Sequence, residues 1–446
     1  MLIESISGVR GTVPDSLNNE VVALYAGAFH QFCPKGDIVV GRDSRSSGIH
    51  FLTEIIETLM ALGRTVNQCG IVPTPTLQYV VDNTEAVGGI IVTASHNPAE
   101  WNGLKFFGAD GCYLNNSQVQ KLMQLKSVEF PELFYGEGKH IQMNDAIDRH
   151  ITRTCDVSWI DLDAIRQRKF KVAVDAVNGA AAMALPELLD RLGCEVVTIN
   201  CEPTGEFTRG TEPLPENLSD LSQLVQQENC QVGFATDPDA DRLAVIDEKG
   251  KPVGEEYTLV LALDGFLSTI ESSETVVTNL STTMAVDKVA ERYGAQVTRS
   301  AVGEINVVEM MKKTGASIGG EGNGGVILKE VHLGRDSLVA GASVLHRLAQ
   351  TDSNLSEVMN KLPKFEIVKY KVSIGRIDGD TLFQKISDSF DSALIDERDG
   401  LKLTWNDRWI HVRRSNTEPI MRIYTEAPSE KEARELAEIV KLILQS

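Results

Sequence analysis

A serine and a histidine stand side by side at Ser95 and His96, closing the stretch GGIIVTASHNP (residues 88–98). Its first half reads as a buried strand, and its second half as a polar turn. Taken alone, small polar residues before a proline are ordinary turn punctuation or a helix cap. A hydroxyl presented at a strand end can also act as a nucleophile if a neighbouring group handles its proton. A second stretch, TDPDADR (236–242), places Asp237, Asp239 and Asp241 on alternate positions with Arg242 beside them. Closely spaced carboxylates in a turn suit Mg²⁺ or Ca²⁺ and are poor ligands for soft metals. An EF-hand also opens D-x-D-x-D, and Glu248 falls at its twelfth place. Arg242 occupies the sixth, where that loop needs glycine, and a strand precedes the loop instead of a helix. An arginine next to the trio points to an anionic ligand shared with the cation, such as a phosphate.

Two further stretches fit such a ligand. RRSNTEP (413–419) offers Arg413, Ser415, Asn416 and Thr417, a guanidinium fork with two hydroxyls and an amide. GGEGNGG (319–325) sets Glu321 and Asn323 among five glycines, which let backbone approach a ligand closely. It has neither the Lys-Ser/Thr of a Walker loop nor GxGxxG spacing. Arg10 in SGVRG, Arg42 and Arg45 in GRDSRSSG, and Lys105 in NGLKFF add cations near glycine turns. In a chain of net charge −20, local cations of this kind read as an anion site.

These stretches need elements to position them, and one pattern of elements occurs three times. A short apolar strand leads through a helix to a second strand, then to a third strand that ends in one of the unusual loops. The first strands are DIVVGRD (37–43), KVAVDAVNG (171–179) and ETVVTNLS (274–281). The second are RTVNQCG (64–70), CEVVTIN (194–200) and AQVTRSAVG (295–303). The third end in TASHNP, TDPDADR and GGEGNGG. The intervening helices LTEIIETLMALG, ALPELLDRLG and AVDKVAERYG each close on a glycine, as helix C-termini prefer. Strands alternating with helices predict mixed or mostly parallel sheets covered on both faces, with ligands at the carboxyl ends of the strands. From about Lys364 the pattern changes. YKVSIGRI, LKLTWND and WIHVRRS alternate like antiparallel strands, and SEKEARELAEIVKLILQS is an amphipathic helix. The expected fold is therefore α/β: three similar α/β domains with mixed sheets, followed by a smaller α+β domain. The expected divisions are 1–152, 153–251, 252–364 and 365–446.

The 446 residues exceed a single core, and 42% hydrophobic with 24% charged content fits a soluble globular protein. No apolar run reaches a membrane span and the start lacks a signal-peptide core, so a cytoplasmic protein is expected. Seven scattered cysteines without a CxxC pair argue for reduced thiols and against a zinc site. The negative charge argues against a nucleic-acid partner.

The loops together, in this order, resemble the α-D-phosphohexomutase family over essentially the whole chain. The family's serine loop T-A-S-H-N-P stands at 93–98, its metal loop D-x-D-x-D-R at 237–242, and its phosphate loop R-x-S-x-T-E-P at 413–419. The resemblance implies four domains around a central cleft and a phosphoryl shift between C6 and C1 of a hexose. It implies a phosphorylated Ser95, Mg²⁺ held by Ser95, Asp237, Asp239 and Asp241, and activation by a sugar 1,6-bisphosphate. Arg413, Ser415, Asn416 and Thr417 would grip the phosphate that is not transferred, and Glu321 would bind sugar hydroxyls. Arg242 supplies charge at the reacting phosphate, with Arg10 also placed in the catalytic set. Lys105 and His96 both remain open as the proton-handling group. The chain departs from the family's G-E-x-S-G-H sugar loop, with Asn323 in the serine place and Gly325 in the histidine place. Such loops resemble those of phosphoglucosamine mutases, so glucosamine 6-phosphate is the expected substrate, with the protein a monomer or homodimer. The phosphate grip, on its own domain, is expected to be mobile. Phosphoglucomutase/phosphomannomutase activity is the alternative within the class. An Mg²⁺-dependent sugar phosphatase and a non-catalytic sugar-phosphate sensor are the rivals outside it.

Overall fold

The computed structural model describes residues 2–126, 137–271, 273–373, 379–414 and 420–445. The three apolar strands of the first repeat are Ile38–Arg42, Thr65–Ile71 and Gly88–Val92. They pair in parallel in the order third, first, second. Their side chains alternate between two cores, as a pleated strand requires. Ile38, Val40, Ile90 and Val92 enter one cluster, with Val22, Phe29 and Leu59; Val39 and Ile91 enter another, with Leu77 and Val81. A strand buried on both faces cannot show polar alternation, which explains the continuous apolar runs in the sequence.

The second repeat has the same order, with Lys171–Asp175 between Val232–Thr236 and Glu195–Ile199, all parallel. In the third, Thr275–Asn279 lies between Ile318–Glu321 and Gln296–Ser300, again parallel. All three unusual loops therefore leave a third strand at its carboxyl end. The mixed character comes from strands that the sequence reading did not set out. Trp101–Gly108 returns antiparallel beside Gly88–Val92, with Ile91 opposite Lys105. Leu243–Asp247 returns in the same way beside Val232–Thr236. The first sheet is extended further by Ile3–Ser5, Gly8–Thr12 and Lys139–Gln142 to seven strands.

The three glycine helix ends share one geometry. Gly63, Gly193 and Gly294 have φ of 80°, 78° and 69°. In each case the next residue donates its N–H to the carbonyl five positions back, from Arg64 to Leu59, Cys194 to Leu189 and Ala295 to Ala290. This left-handed cap ends the helix and turns the chain into the second strand.

The C-terminal segment is a five-stranded antiparallel sheet, ordered Glu366–Ser373, Ile420–Ala427, Trp409–Arg414, Leu401–Thr404, Leu394–Asp396. Helix Glu430–Gln445 packs Ala433, Leu436, Ala437 and Val440 into its core.

The chain forms two compact units, Met1–Thr269 with Gly324–Met359 and Ile270–Asn323 with Asn360–Ser446. The first includes two helices of the third repeat, Glu255–Leu267 and Ser337–Ala349. Both are buried along nearly their whole length, and Gly341, Ala342 and Ser343 suit close packing. In the second unit the C-terminal sheet is bound to loops of the third repeat. Ser281 Oγ meets His411 Nδ1 at 2.8 Å, Met284 N–H donates to Glu426 Oε2 at 2.8 Å, and Val302 N–H donates to Asp399 Oδ2 at 3.0 Å. The buried Lys402 Nζ donates to the Leu280 carbonyl.

Candidate active site

Ser95 sits at the end of the third strand of the first repeat with φ 50°, a left-handed conformation that a non-glycine residue adopts at a cost. The surrounding bonds show what holds it there. Ser95 N–H donates to Thr93 Oγ1 at 2.9 Å, and Thr93 Oγ1 donates to Asp43 Oδ2 at 2.7 Å. Arg45, 1% exposed, donates to Asp43 and to the carbonyls of Ser95, Asn97, Pro98 and Trp101 at 2.6–3.0 Å. Its guanidinium is spent on the loop. Arg42 likewise donates to the carbonyl of Asp43. Arg45 therefore does not belong to an anion site, which corrects the reading drawn from its neighbours in sequence. Arg10 does reach the serine loop, donating to Asn97 Oδ1 at 3.0 Å.

Beside the serine lies the aspartate loop. Ser95 Oγ is 3.5 Å from Asp237 Oδ2 and 3.3 Å from His96 Nδ1. Asp237, Asp239 and Asp241 are buried, and each offers a carboxylate oxygen within 4.8 Å of the others. Four cations converge on them. Lys105 Nζ donates to Asp239 Oδ2 at 2.6 Å and lies 3.8 Å from Asp241. Arg335 donates to Asp241 Oδ2 at 2.6 Å. Arg242 Nε lies 3.6 Å from Asp241, and its terminal nitrogens reach Glu212 Oε1 at 3.2 Å and His96 Nδ1 at 3.4 Å. Arg10 is near enough to feel Asp239 and Arg242.

The charges respond to these neighbours. Burial and the other two carboxylates hold Asp237 well above the usual aspartate range. Burial would also raise Asp241, but Arg335, Lys105 and Arg242 outweigh it and hold it below that range. Burial opposes the Lys105 ammonium, yet Asp239, Tyr113 and Asp241 hold its pKa well above the usual lysine value. His96 is pushed down to about 4 by burial and Arg242. The two candidate proton carriers thus differ. His96 is a neutral imidazole beside the hydroxyl, and Lys105 is an ammonium on the carboxylates. Asp239 Oδ1 and Asp241 Oδ1 are buried with no hydrogen-bond partner. Orphaned carboxylate oxygens in a buried trio of aspartates fit a hard divalent cation.

The second unit holds the other candidates. Glu321, 4% exposed, accepts from Asn279 Nδ2 at 2.8 Å and Gly303 N–H at 3.0 Å, joining the ends of its three strands. Asn323 is half-buried two residues on. Arg413 Nε lies 3.4 Å from Asp399 Oδ1. Ser415, Asn416 and Thr417 lie outside the described residues.

Sequence reasoning missed Arg335, Glu212, Thr74 and the tethers at the ends of the first strands. Those tethers do carry a signal. Asp43, Asp175 and Asn279 close equivalent first strands, and each supports its own repeat's loop. Asp175 does so through Arg209, which donates to it and to the Thr236 carbonyl.

Fold and site together define a phosphoryl-transfer enzyme of the mutase type. Four models of the phosphoglucomutase/phosphomannomutase family match in order: α/β/α domain I over 3–129, domain II over 149–250, domain III over 254–365 and the C-terminal domain over 386–443. A phosphoglucomutase/phosphomannomutase of Thermococcus kodakarensis is 35% identical over 98% of this chain and 97% of its own. A probable phosphoglucosamine mutase of Methanopyrus kandleri is 33% identical over 96% and 95%. The crystal structure of a phosphoglucomutase/phosphomannomutase family protein of Burkholderia thailandensis has a TM-score of 0.87 at 26% identity, covering 100% of this chain and 98% of that one. The chain belongs to this phosphohexomutase family.

Proposed function

We propose that the chain moves a phosphoryl group between C6 and C1 of a hexose phosphate, with glucosamine 6-phosphate preferred, through phosphorylated Ser95 and a sugar 1,6-bisphosphate. The observation that carries this reading is the Ser95 hydroxyl, 3.5 Å from Asp237 in a loop held by Arg45. Asp237, Asp239, Asp241 and Ser95 would hold Mg²⁺, which when bound supplies Lewis-acid charge to the phosphoryl oxygens. The phosphoryl passes from Ser95 Oγ to the free hydroxyl of the sugar monophosphate. The sugar then turns, and its other phosphoryl returns to Ser95. Arg242 offers a fixed cation to the transferring group. His96 Nδ1, 3.3 Å from Ser95 Oγ, is a candidate to handle the proton. Arg413 with Ser415, Asn416 and Thr417 grips the phosphate at the far end. That grip separates a mutase from a phosphatase, which needs no hold on a second phosphate. Glu321 and Asn323 bind the sugar. The four family matches support the division at 1–152, 153–251, 252–364 and 365–446.

The sugar loop without its histidine and the probable phosphoglucosamine mutase relative support an amino sugar. The 35% identical relative supports glucose and mannose phosphates as the second reading. Coupled assays of the three 6-phosphates decide between them. Glucosamine 6-phosphate should give the highest kcat/KM. A preference of about tenfold, or ~1.4 kcal/mol, for a neutral hexose would overturn the substrate. Inorganic phosphate as the main product would overturn the mutase.

A further inference from the structure

Behind the aspartate loop, in the same unit, lies a second polar cluster that the reaction above does not use. His150 of helix Ala146–Cys155, His332 of strand His332–Arg335 and Asp336, ahead of helix Ser337–Ala349, are 0%, 2% and 0% exposed. Asp336 Oδ2 lies 2.8 Å from His150 Nε2 and 3.1 Å from His332 Nε2. A carboxylate only accepts, so both rings donate from Nε2. Nδ1 of His150 shares a hydrogen bond with the Thr76 hydroxyl at 2.9 Å. The other carboxylate oxygen, Oδ1, caps the Ser337–Ala349 helix, accepting from Leu338 and Val339 N–H at 2.8 and 3.3 Å. Tyr79 stacks on His150 at 5.4 Å, and His332 meets it edge-on at 5.7 Å. Hydrogen bonds and ring contacts thus hold these side chains against one another.

The elements this cluster joins both end on the aspartate loop. Thr76 stands in helix Thr74–Asp82, whose first residue donates its hydroxyl to Asp239 Oδ2 at 2.8 Å and its N–H to the Asp239 carbonyl at 2.9 Å. Arg335, adjacent to Asp336, donates to Asp241 Oδ2 at 2.6 Å, and Ser337 N–H donates to the Ala240 carbonyl at 3.3 Å. Asp241 is thus held by the neighbour of Asp336, and Asp239 by a residue two positions from Thr76, the hydroxyl partner of His150. We propose that His150, His332 and Asp336 are positioning residues that set the spacing of the Asp239 and Asp241 carboxylates, and with it the affinity for the divalent cation. This rests on reading the aspartate loop as the Mg²⁺ site. The two histidines and Asp336 are also near enough to ligate a metal themselves. Their donors and acceptors, however, already pair with one another, with Thr76 and with the helix end, and only His332 Nδ1 is left over.

Mg²⁺ titrated calorimetrically into the full-length, chelator-stripped protein tests this without reference to turnover. His332→Leu and Asp336→Asn should bind Mg²⁺ about tenfold more weakly, the scale expected for outer-shell partners of metal ligands. His332→Gln, whose amide nitrogen takes the place of Nε2, should recover most of the loss. In assays kcat should fall at low Mg²⁺ and return in excess, with the sugar-phosphate KM unchanged. Should His332→Leu fail to fold, Thr76→Val removes only the hydroxyl that links the ring to the Thr74 helix, and should weaken Mg²⁺ in the same sense. Lower melting temperatures with wild-type Mg²⁺ affinity would reduce the cluster to core packing and overturn the proposal. A stoichiometric transition metal in the wild type, lost in His332→Leu, would overturn it in favour of a metal centre. Weakened Mg²⁺ binding in the variants of a protein that moves no phosphoryl group would uphold this proposal and sink only the proposed reaction.

Discussion

Ser95 turns its hydroxyl toward Asp237 from a left-handed backbone that its own side chain does not favour, and Arg45 is what keeps it there. The guanidinium is buried, paired with a buried Asp43, and joined to four loop carbonyls. Removing it leaves a carboxylate and several carbonyls without partners in the interior. Arg45→Ala should cost about 3–5 kcal/mol of stability, the range for breaking a buried pair, and should reduce turnover by loosening the serine. Chemical denaturation with a parallel assay checks both, and a loss under about 1 kcal/mol would show that the loop holds itself. The sequence made Ser95 and the aspartate trio legible because chemistry demands those residue types at short spacing. Arg45 was misread there, since an arginine among glycines and serines resembles an anion site until its burial is known. Arg335 was invisible, because it meets Asp241 across 94 positions of chain.

At the scale of elements, the threefold repeat was legible because strand and helix periods alternate and each helix stops on a glycine. The returning antiparallel strands were not, because Trp101–Gly108 is nearly all buried and follows the serine turn without a period of its own. Yet that hairpin brings Lys105 back beside the third strand, ten residues after Ser95. The glycine caps give a graded prediction. At Gly294 a Cβ meets nothing within 4 Å, so Gly294→Ala pays only for the left-handed φ, about 1 kcal/mol. At Gly193 the Cβ would come within 2.9 Å of Arg166 Cγ, so Gly193→Ala should cost more. Equal melting temperatures for the two variants would refute the clash with Arg166. Turnover should be unchanged in Gly294→Ala.

For the whole molecule, sequence composition pointed to free thiols, and the seven cysteines are unpaired in the structure, five of them buried. Burial pushes Cys33, Cys69, Cys194 and Cys201 up to about 12. The unfolded chain then loses these protons at lower pH than the folded one, so stability falls as pH rises between about 9 and about 12. Melting temperatures should decline above pH 9, and Cys69→Ala with Cys194→Ala should flatten that decline; an unchanged slope would remove the thiols as its cause. No helix among the described residues is long and apolar enough to cross a membrane. In the proposed reaction one serine serves both ends of a sugar. This is tested by intact mass and activity of dephosphorylated protein given a hexose 1,6-bisphosphate and Mg²⁺. The account predicts that the protein gains one phosphoryl group at Ser95 and that mutase activity returns, while Ser95→Ala gains neither. Dephosphorylated protein that ignores the bisphosphate and releases inorganic phosphate from sugar monophosphates at full rate would contradict it.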